Sequence, residues 1–533
     1  RSGRFLTLDG ADGWDEVARL VEESDEQDQG GLRFQSARAA YLPERLDRSG
    51  LDVRKDEGVR ALQKYLLAPP KAECPIPGLR PYQERGFHWL QFLAGAGLGG
   101  VLADDMGLGK TVQVLALFVQ AHRQGSQRPN LVVAPTSLLY NWLYEVDNFA
   151  PELRALALSG QRQERQELCR DLEGVDVVVC SYAQLRRDVD YLSEMEWNLV
   201  VLDEAQQIKN AASVGAEAAR RLPAKARFAL TGTPMENHLG ELWAIFDFVL
   251  PGYLHGRQAF LQRYGEGQDQ EELAARLRPF LMRREKKDVL RELPDKLEQT
   301  LACRLTQDQR RLYDAELLRA REMVEKASRE GSLQRQNFQV LAALTRLRQI
   351  CCHPALCFEG YAGGSGKLEL VEQLLDSLLE GGHRVLLFSQ FTSMLALIRE
   401  SLERAGRQYL YLDGATPAKE RLELADAFNQ GKSPLFLISL RAGGFGLNLT
   451  AADSVIHFDP WWNPAVEDQA TDRAHRIGQT KEVSVFKLIA QDTIEEKVLR
   501  LQREKKALID AVVRPGEAVP EGLTAGELRA LFD

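Results

Sequence analysis

The string Asp104-Asp105-Met106-Gly107-Leu108-Gly109-Lys110-Thr111 sets two glycines, a lysine and a threonine in one turn. The apolar run Gly100-Val101-Leu102-Ala103 precedes it and a long apolar stretch follows. Strand, glycine-bearing loop and helix in that order make a phosphate cradle, because backbone N–H groups and the helix N-terminus converge on an anion. Lys110 is expected to reach the β- and γ-phosphates and Thr111 to ligate magnesium. Asp105, Met106, Gly107, Leu108 and Gly109 would line the cradle. One departure stands out: Asp104 occupies the place of the pattern's first glycine. A second string, Asp203-Glu204-Ala205-Gln206, ends the apolar run Val200-Val201-Leu202. Two adjacent carboxylates suit a split role, with Asp203 holding magnesium through its water shell and Glu204 polarising the attacking water. An acidic helix N-terminus would look the same in isolation; its pairing with a phosphate loop favours catalysis. ATP and magnesium are the expected cofactors.

Something must hold these two strings together, and the apolar runs say what. Leu131–Ala134, Val177–Cys180, Leu199–Leu202 and Arg227–Leu230 are short and apolar on both sides, as buried parallel strands require. They alternate with amphipathic stretches, the pattern of a doubly wound α/β lobe. A second set follows at Arg384–Phe388, Tyr409–Leu412, Leu435–Ile438, Ser454–Phe458 and Val483–Phe486. Between the sets, from about Pro251 to His353, apolar residues recur at helical spacing and no strand is expected. The resulting division is an accessory region and linker (1–77), a first ATP-binding lobe (78–250), helical insertions (251–358), a linker (359–366), a second lobe (367–492) and a closing helix with tail (493–533). Two α/β lobes joined by helices suggest a cleft motor, one lobe holding the nucleotide and the other closing on it.

At 533 residues the chain exceeds one hydrophobic core, consistent with several domains. No apolar run reaches the ~18 residues of a membrane span, so no membrane partner is expected. The seven cysteines lack a disulfide framework, which points to reduced, buried thiols and a cytoplasmic setting. Cys351, Cys352, His353 and Cys357 form a cluster, but adjacent cysteines fit zinc spacing poorly; a helix end before Pro354 is the simpler reading. The net charge of −9 counts mildly against nucleic acid, yet between Asp9 and Asp28 nine acids face one base. Screening confines each field to ~8–10 Å, so net charge does not choose the partner. Arg1 opens the chain without Met, so a fragment of something longer is expected.

Taken in order, the motifs resemble those of helicase superfamily two, and within it the SWI/SNF-like ATPases of bacterial or archaeal type. The resemblance runs from about Leu79 to Val512. It is carried by Leu79-Arg80-Pro81-Tyr82-Gln83, the phosphate loop, Ala134-Pro135-Thr136-Ser137-Leu138, Cys180-Ser181-Tyr182, Asp203–Gln206 and Leu230-Thr231-Gly232-Thr233-Pro234. In the second half it rests on Phe388-Ser389-Gln390-Phe391, Arg441–Leu449, Asp459–Pro464 and Gln469–Gln479, with the signature Pro279–Arg284, followed by Lys286 and Asp288, before them. The resemblance implies two RecA-like parallel-sheet lobes with helical insertions and a C-terminal brace helix over Thr493–Val512, packed on the first lobe. It implies that Gln83 reads the adenine edge, that Gly444 and Gly446 let backbone approach the nucleotide, and that Arg473 and Arg476 act as arginine fingers. Gln206 stands where the family often has His and is expected to bond across the cleft. Ser137, Thr231, Thr233, Arg283, Arg284, Arg441, Asn448 and Trp462 fall on DNA-contacting positions, with Thr231 and Thr233 coupling the nucleotide to the groove. The other tryptophans, Trp142, Trp243 and Trp461, are read as core or interface fillers.

The function so implied is ATP-dependent translocation on double-stranded DNA, by a monomer in the nucleoid, with remodelling of protein–DNA complexes. RNA polymerase or another DNA-bound protein is the candidate target. A strand-separating helicase and an ATP-gated nucleic-acid-binding scaffold without turnover are the alternatives; intact Lys110, Glu204 and Arg476 speak against the scaffold.

Overall fold

The computed structural model describes residues 73–500 apart from 233, 236–238, 266–268, 291–292, 330–336, 444–446 and 462–463. Before residue 73 it describes only 26–28, 31–33 and 37. The expectations for Thr233, Gly444, Gly446 and Trp462 lie outside the described residues, as do the side chains of Ser137 and Arg441. In the N-terminal region β1 (Glu26–Asp28) pairs antiparallel with β2 (Gly31–Arg33).

Two parallel sheets build the molecule, as the alternation of apolar runs requires. The first contains β3 (Gly100–Leu102), β4 (Asn130–Ala134), β5 (Ala155–Ala157), β6 (Val177–Ser181), β7 (Trp197–Asp203), β8 (Ala224–Leu230) and β9 (Leu281–Met282). Its order is β5-β6-β4-β7-β8-β3-β9, and every neighbouring pair is parallel. The central strands are buried along their whole length, β4 and β6 at all positions. The second sheet contains β10 (Lys296–Cys303), β11 (Val385–Ser389), β12 (Leu410–Leu412), β13 (Leu435–Ser439), β14 (Ser454–His457) and β15 (Val483–Ala490). Its order is β10-β15-β14-β11-β13-β12, again parallel throughout.

The strand order is what positions the site. β7, β8 and β3 are neighbours, so their carboxyl ends, Asp203, Thr231 and the phosphate loop, emerge side by side. Ligands of open α/β sheets sit at this edge.

One expectation needs correction. The stretch from Pro251 to His353 is not strand-free: β9 joins the first sheet and β10 the second. β10 was hidden because it is an edge strand whose middle positions, Glu298 to Thr300 among them, are exposed and polar; an apolar run is the signature only of buried strands. The helical insertion therefore splits, and residues 283–295 carry the chain from one sheet to the other. The described part of the closing helix, 494–500, packs on the second helical insertion, and the rest of the brace expected over Thr493–Val512 lies outside the described residues. Ile494 and Val498 share a buried cluster with Tyr313, Val340, Leu344 and Leu347 of the helices Gln307–Arg329 and Asn337–Cys352.

A buried ion pair ties this helix down. Lys367 Nζ lies 2.6 Å from the Glu495 carboxylate, and both side chains are fully buried. The lysine also donates to the Phe458 carbonyl oxygen at 2.9 Å, and Glu495 accepts the Ala490 N–H at 2.8 Å. Removing one partner strands the other charge in the core. Lys367→Ala is expected to cost about 3–5 kcal/mol, read as a lowered midpoint of denaturant unfolding. A loss under about 0.5 kcal/mol, the range of ordinary surface substitutions, would contradict the packing described.

Candidate active site between the two lobes

The phosphate loop is held from beneath as much as by its own glycines. Gly107 and Gly109 take φ of +84° and +75°, conformations that a side chain disfavours. At Gly109 a Cβ would also lie 2.5 Å from Gln83 Nε2. Asp104 is fully buried. Its carboxylate takes a forked ion pair from Arg284, with Nε at 2.8 Å and Nη2 on the other oxygen, and accepts from Gln113 Nε2 at 3.3 Å. Arg284 further donates to the Tyr82 carbonyl oxygen and, at 2.7 Å, to Gln113 Oε1. The residue that breaks the glycine pattern thus anchors the loop to the segment that follows β9. Lys110 folds back and donates to the Asp104 carbonyl oxygen at 2.7 Å.

Asp203 ends β7 and Glu204 follows it. Asp203 Oδ2 accepts from Trp142 Nε1 at 2.9 Å, and Oδ1 accepts the Glu204 N–H at 2.9 Å. Burial, and then the neighbouring Glu204 charge, hold the Asp203 carboxyl well above the usual carboxylate range; Lys110 and the Trp142 bond oppose them. Glu204 itself has φ +50°, left-handed backbone on a non-glycine residue, a strain of order 1–3 kcal/mol that clusters at active sites. That turn carries the carboxylate to Gln206, whose Nε2 donates to Glu204 Oε2 at 2.8 Å. Gln206 Oε1 in turn accepts from Thr231 Oγ1 at 2.9 Å.

From the second lobe, Gln469 Nε2 donates to Glu204 Oε1 at 3.2 Å. Arg473 Nη2 approaches Met106 Sδ at 3.9 Å. Arg476 donates to the Leu447 carbonyl oxygen at 3.3 Å and packs on Gly107, where an added Cβ would lie 2.7 Å from Arg476 Cβ. Burial lowers the pKa of both arginines, that of Arg473 to about 10, with each other's charge a further cause for Arg473. One cleft of about 370 Å³ is lined by Gln83, Lys110, Thr111, Asp203, Glu204 and Arg476, with Arg473 beside them.

Several expected residues stand elsewhere than foreseen. Gln206 does not cross the cleft: its bonds run to Glu204 and Thr231, both in the first lobe, and Gln469 makes the crossing. Thr231, expected at DNA, is fully buried in that relay. Arg284, also expected at DNA, is inside the first lobe, because the return strand β9 places it under the phosphate loop. Asn448, expected at DNA, is exposed and stands at the edge of the nucleotide cleft. Arg283 borders a second, polar cavity with Asp105, Lys286 and Asp472. Gln83 lines the nucleotide cleft, its Oε1 accepting the Arg80 N–H at 2.9 Å and its Nε2 donating to the Leu108 carbonyl at 3.1 Å.

Other residues at the site escaped notice. Trp142, read as filler, grips Asp203. One turn later Glu145 lies beside the Thr111 hydroxyl and the Arg476 charge and accepts from Asn141 Nδ2 at 3.0 Å. The i, i+3 spacing of Trp142 and Glu145 sets both on one helical face, a signal available in the sequence. The cysteine cluster is structural. Cys351 and Cys352 are fully buried and burial pushes their thiols up. His353 Nδ1 caps the turn Pro354–Leu356, and among the described residues no group of His, Cys, Asp and Glu is arranged to hold a metal. No helix among them is long and apolar enough to cross a membrane.

Residues 82–356 match the SNF2-related domain and residues 366–478 the helicase conserved C-terminal domain. The chain belongs to the SNF2 family of helicase superfamily two, and it holds that family's ATPase core. It is 41% identical over 471 residues to YwqA of Bacillus subtilis, whose name assigns it by inference as an ATP-dependent helicase/translocase; the match takes in 85% of this chain and 50% of the relative. It is 38% identical over 467 residues to the human SWI/SNF-related matrix-associated actin-dependent regulator of chromatin subfamily A member 1, taking in 83% of this chain and 44% of the relative. The chain thus spans half or less of the length of these relatives. Among solved structures, the Sulfolobus solfataricus SWI2/SNF2 ATPase core in complex with dsDNA is 38% identical, covers 84% of this chain and 95% of that one, and superposes with a TM-score of 0.42.

The SNF2 core described here separates two roles for Arg284. Arg284→Ala would leave the Asp104 carboxylate buried without its cation, a loss of about 3–5 kcal/mol in unfolding free energy. A variant of unchanged stability but weakened DNA binding would return Arg284 to the duplex.

Proposed function

We propose that the chain is the motor of an ATP-dependent translocase on double-stranded DNA, acting in the cytoplasm on protein–DNA complexes. The observation that carries this reading is the split site. The phosphate loop and both carboxylates belong to the first lobe, while Gln469, Arg473 and Arg476 reach the same cleft from the second. A site completed only when two lobes meet ties each hydrolysis to a lobe movement, which is the requirement for a motor.

Each side chain then has a role. Lys110 leaves the Asp104 carbonyl for the β- and γ-phosphates. Glu204, steered by Gln206 and Gln469, accepts a proton from the attacking water. Arg473 and Arg476 stabilise charge on the transferring phosphoryl oxygens. The donor set suits magnesium: Thr111 supplies a hydroxyl oxygen and Asp203 a half-buried carboxylate that lacks a full counter-charge. When bound there, the ion would offset the negative charge of the nucleotide's phosphates. Gln206 bonds Thr231 at the end of β8, so in this reading the relay would carry the state of Glu204 toward Thr233, an expected DNA-contacting position outside the described residues. RNA polymerase or another DNA-bound protein is the kind of obstacle such a motor would displace.

Blunt duplex DNA is expected to stimulate phosphate release at low salt, and Lys110→Ala to abolish it. Equal rates with duplex, single strand and no nucleic acid would sink the proposal. Triplex displacement is expected without fork unwinding; efficient unwinding would favour the strand-separating alternative.

A second expectation concerns the fingers. Arg476→Ala and Arg473→Ala should bind ATP nearly as well as the parent yet hydrolyse it more slowly, by up to about 10³–10⁵-fold for the principal finger. Equilibrium nucleotide binding and single-turnover hydrolysis, measured on the same preparations, separate this from loss of a ground-state contact.

A further inference from the structure

We propose that Lys286 is a positioning residue that sets Arg473 and Arg476 of the second lobe against the phosphate loop of the first. The inference rests on the arginine-finger reading above. Lys286 lies on the stretch 283–295 that carries the chain between the sheets, at the start of the short helix Lys286–Val289. Its backbone N–H donates to Asp105 Oδ2 at 2.9 Å, so its main chain is pinned to the phosphate loop. Its ammonium forms an ion pair with Asp472 Oδ1 at 2.7 Å and donates to the His475 carbonyl oxygen. Asp472 immediately precedes Arg473, and His475 immediately precedes Arg476. One side chain therefore grips the second lobe next to each arginine.

The surroundings leave this grip little slack. Lys286 is 8% exposed. A Cβ on Gly107 would meet Arg476 Cβ at 2.7 Å and Lys286 Cε at 3.7 Å, so loop, finger and lysine are in direct packing. His475 Nε2 lies 2.8 Å from the Pro294 carbonyl oxygen, a second tether between the crossing segment and the finger segment. Lys296 adds a longer ion pair to Asp468 at 3.9 Å. Charge alone would not distinguish Lys286 from these neighbours. What distinguishes it is that its two ends touch both halves of the active site.

Lys286 touches neither the cleft's carboxylates nor the space for the nucleotide; its effect must pass through the arginines. Such groups act on the transition state, so ground-state binding should be spared. A misplacement of about 1 Å can cost on the order of 10²-fold in rate. Lys286→Met is expected to lower kcat on the order of 10²-fold while ADP affinity changes by less than about threefold. Affinity for ADP with aluminium fluoride, a mimic of the transferring phosphoryl group, should fall with kcat. Asp472→Asn removes the ion pair with almost no change of shape and should move the same readouts in the same direction; it decides the matter where Lys286→Met does not fold.

Measured beside Arg473→Ala and Arg476→Ala, the outcomes separate. If both arginine variants hydrolyse at the parent rate, the finger reading fails, whatever Lys286 does. If the arginines are required but Lys286→Met or folded Asp472→Asn keeps the parent kcat, the positioning role is overturned. Loss of ADP affinity equal to the loss of kcat would overturn it too, because the damage would then lie in the phosphate loop through Asp105.

Discussion

Asp203 and Glu204 put two carboxylates side by side at a buried strand end, and the cleft is built around that repulsion. Like charges in a low dielectric cannot both persist without answering groups. The answers come from every direction: Trp142 on one oxygen of Asp203, Lys110 nearby, Gln206 and Gln469 on the two oxygens of Glu204, and Arg473 across the gap. Even the backbone yields, with Glu204 in left-handed conformation. The strand order is what makes these answers possible, since β7, β8 and β3 bring their carboxyl ends together.

The same logic governs the phosphate loop. An aspartate where the pattern has glycine would be costly if unpaired, but Arg284 meets it with a planar fork suited to a carboxylate. The loop therefore owes its shape partly to β9, almost two hundred positions downstream. Through Asp105 and Lys286 it is also connected to the second lobe. Phosphate loop, crossing segment and finger segment form one continuous set of charged contacts, so the lobes cannot reorient without altering the surroundings of the nucleotide.

Much of this was legible in the amino-acid sequence. Buried parallel strands announce themselves as apolar runs, and the two strings that carry chemistry sit at strand ends, where the local pattern needs no tertiary information. β10 was not legible because an edge strand has no reason to be apolar. Arg284 and Thr231, expected at DNA, stand inside the first lobe for a different reason. Their residue types suit DNA as well as a buried carboxylate or a side-chain relay, and only the three-dimensional neighbours, Asp104 and Gln206, decide between them. Glu145 lay within reach, since its helical spacing from Trp142 was readable, but nothing local tells which way that face points.

The chain passes between the two sheets once, along residues 283–295, and each side of that crossing has its own apolar interior. A break there would leave both interiors intact. The covalent joint is in this sense a tether: it keeps two bodies with separate cores at a high mutual concentration. Supplied as two polypeptides, the halves would meet through contacts that include Lys286, Gln469, the approach of Arg473 to Met106 and of Arg476 to Gly107, and the small apolar seam of Tyr82, Leu108 and Leu290 with Ile477 of the second lobe against it. The cleft would then become a meeting place whose occupancy depends on how much of each half is present, and hydrolysis would report association.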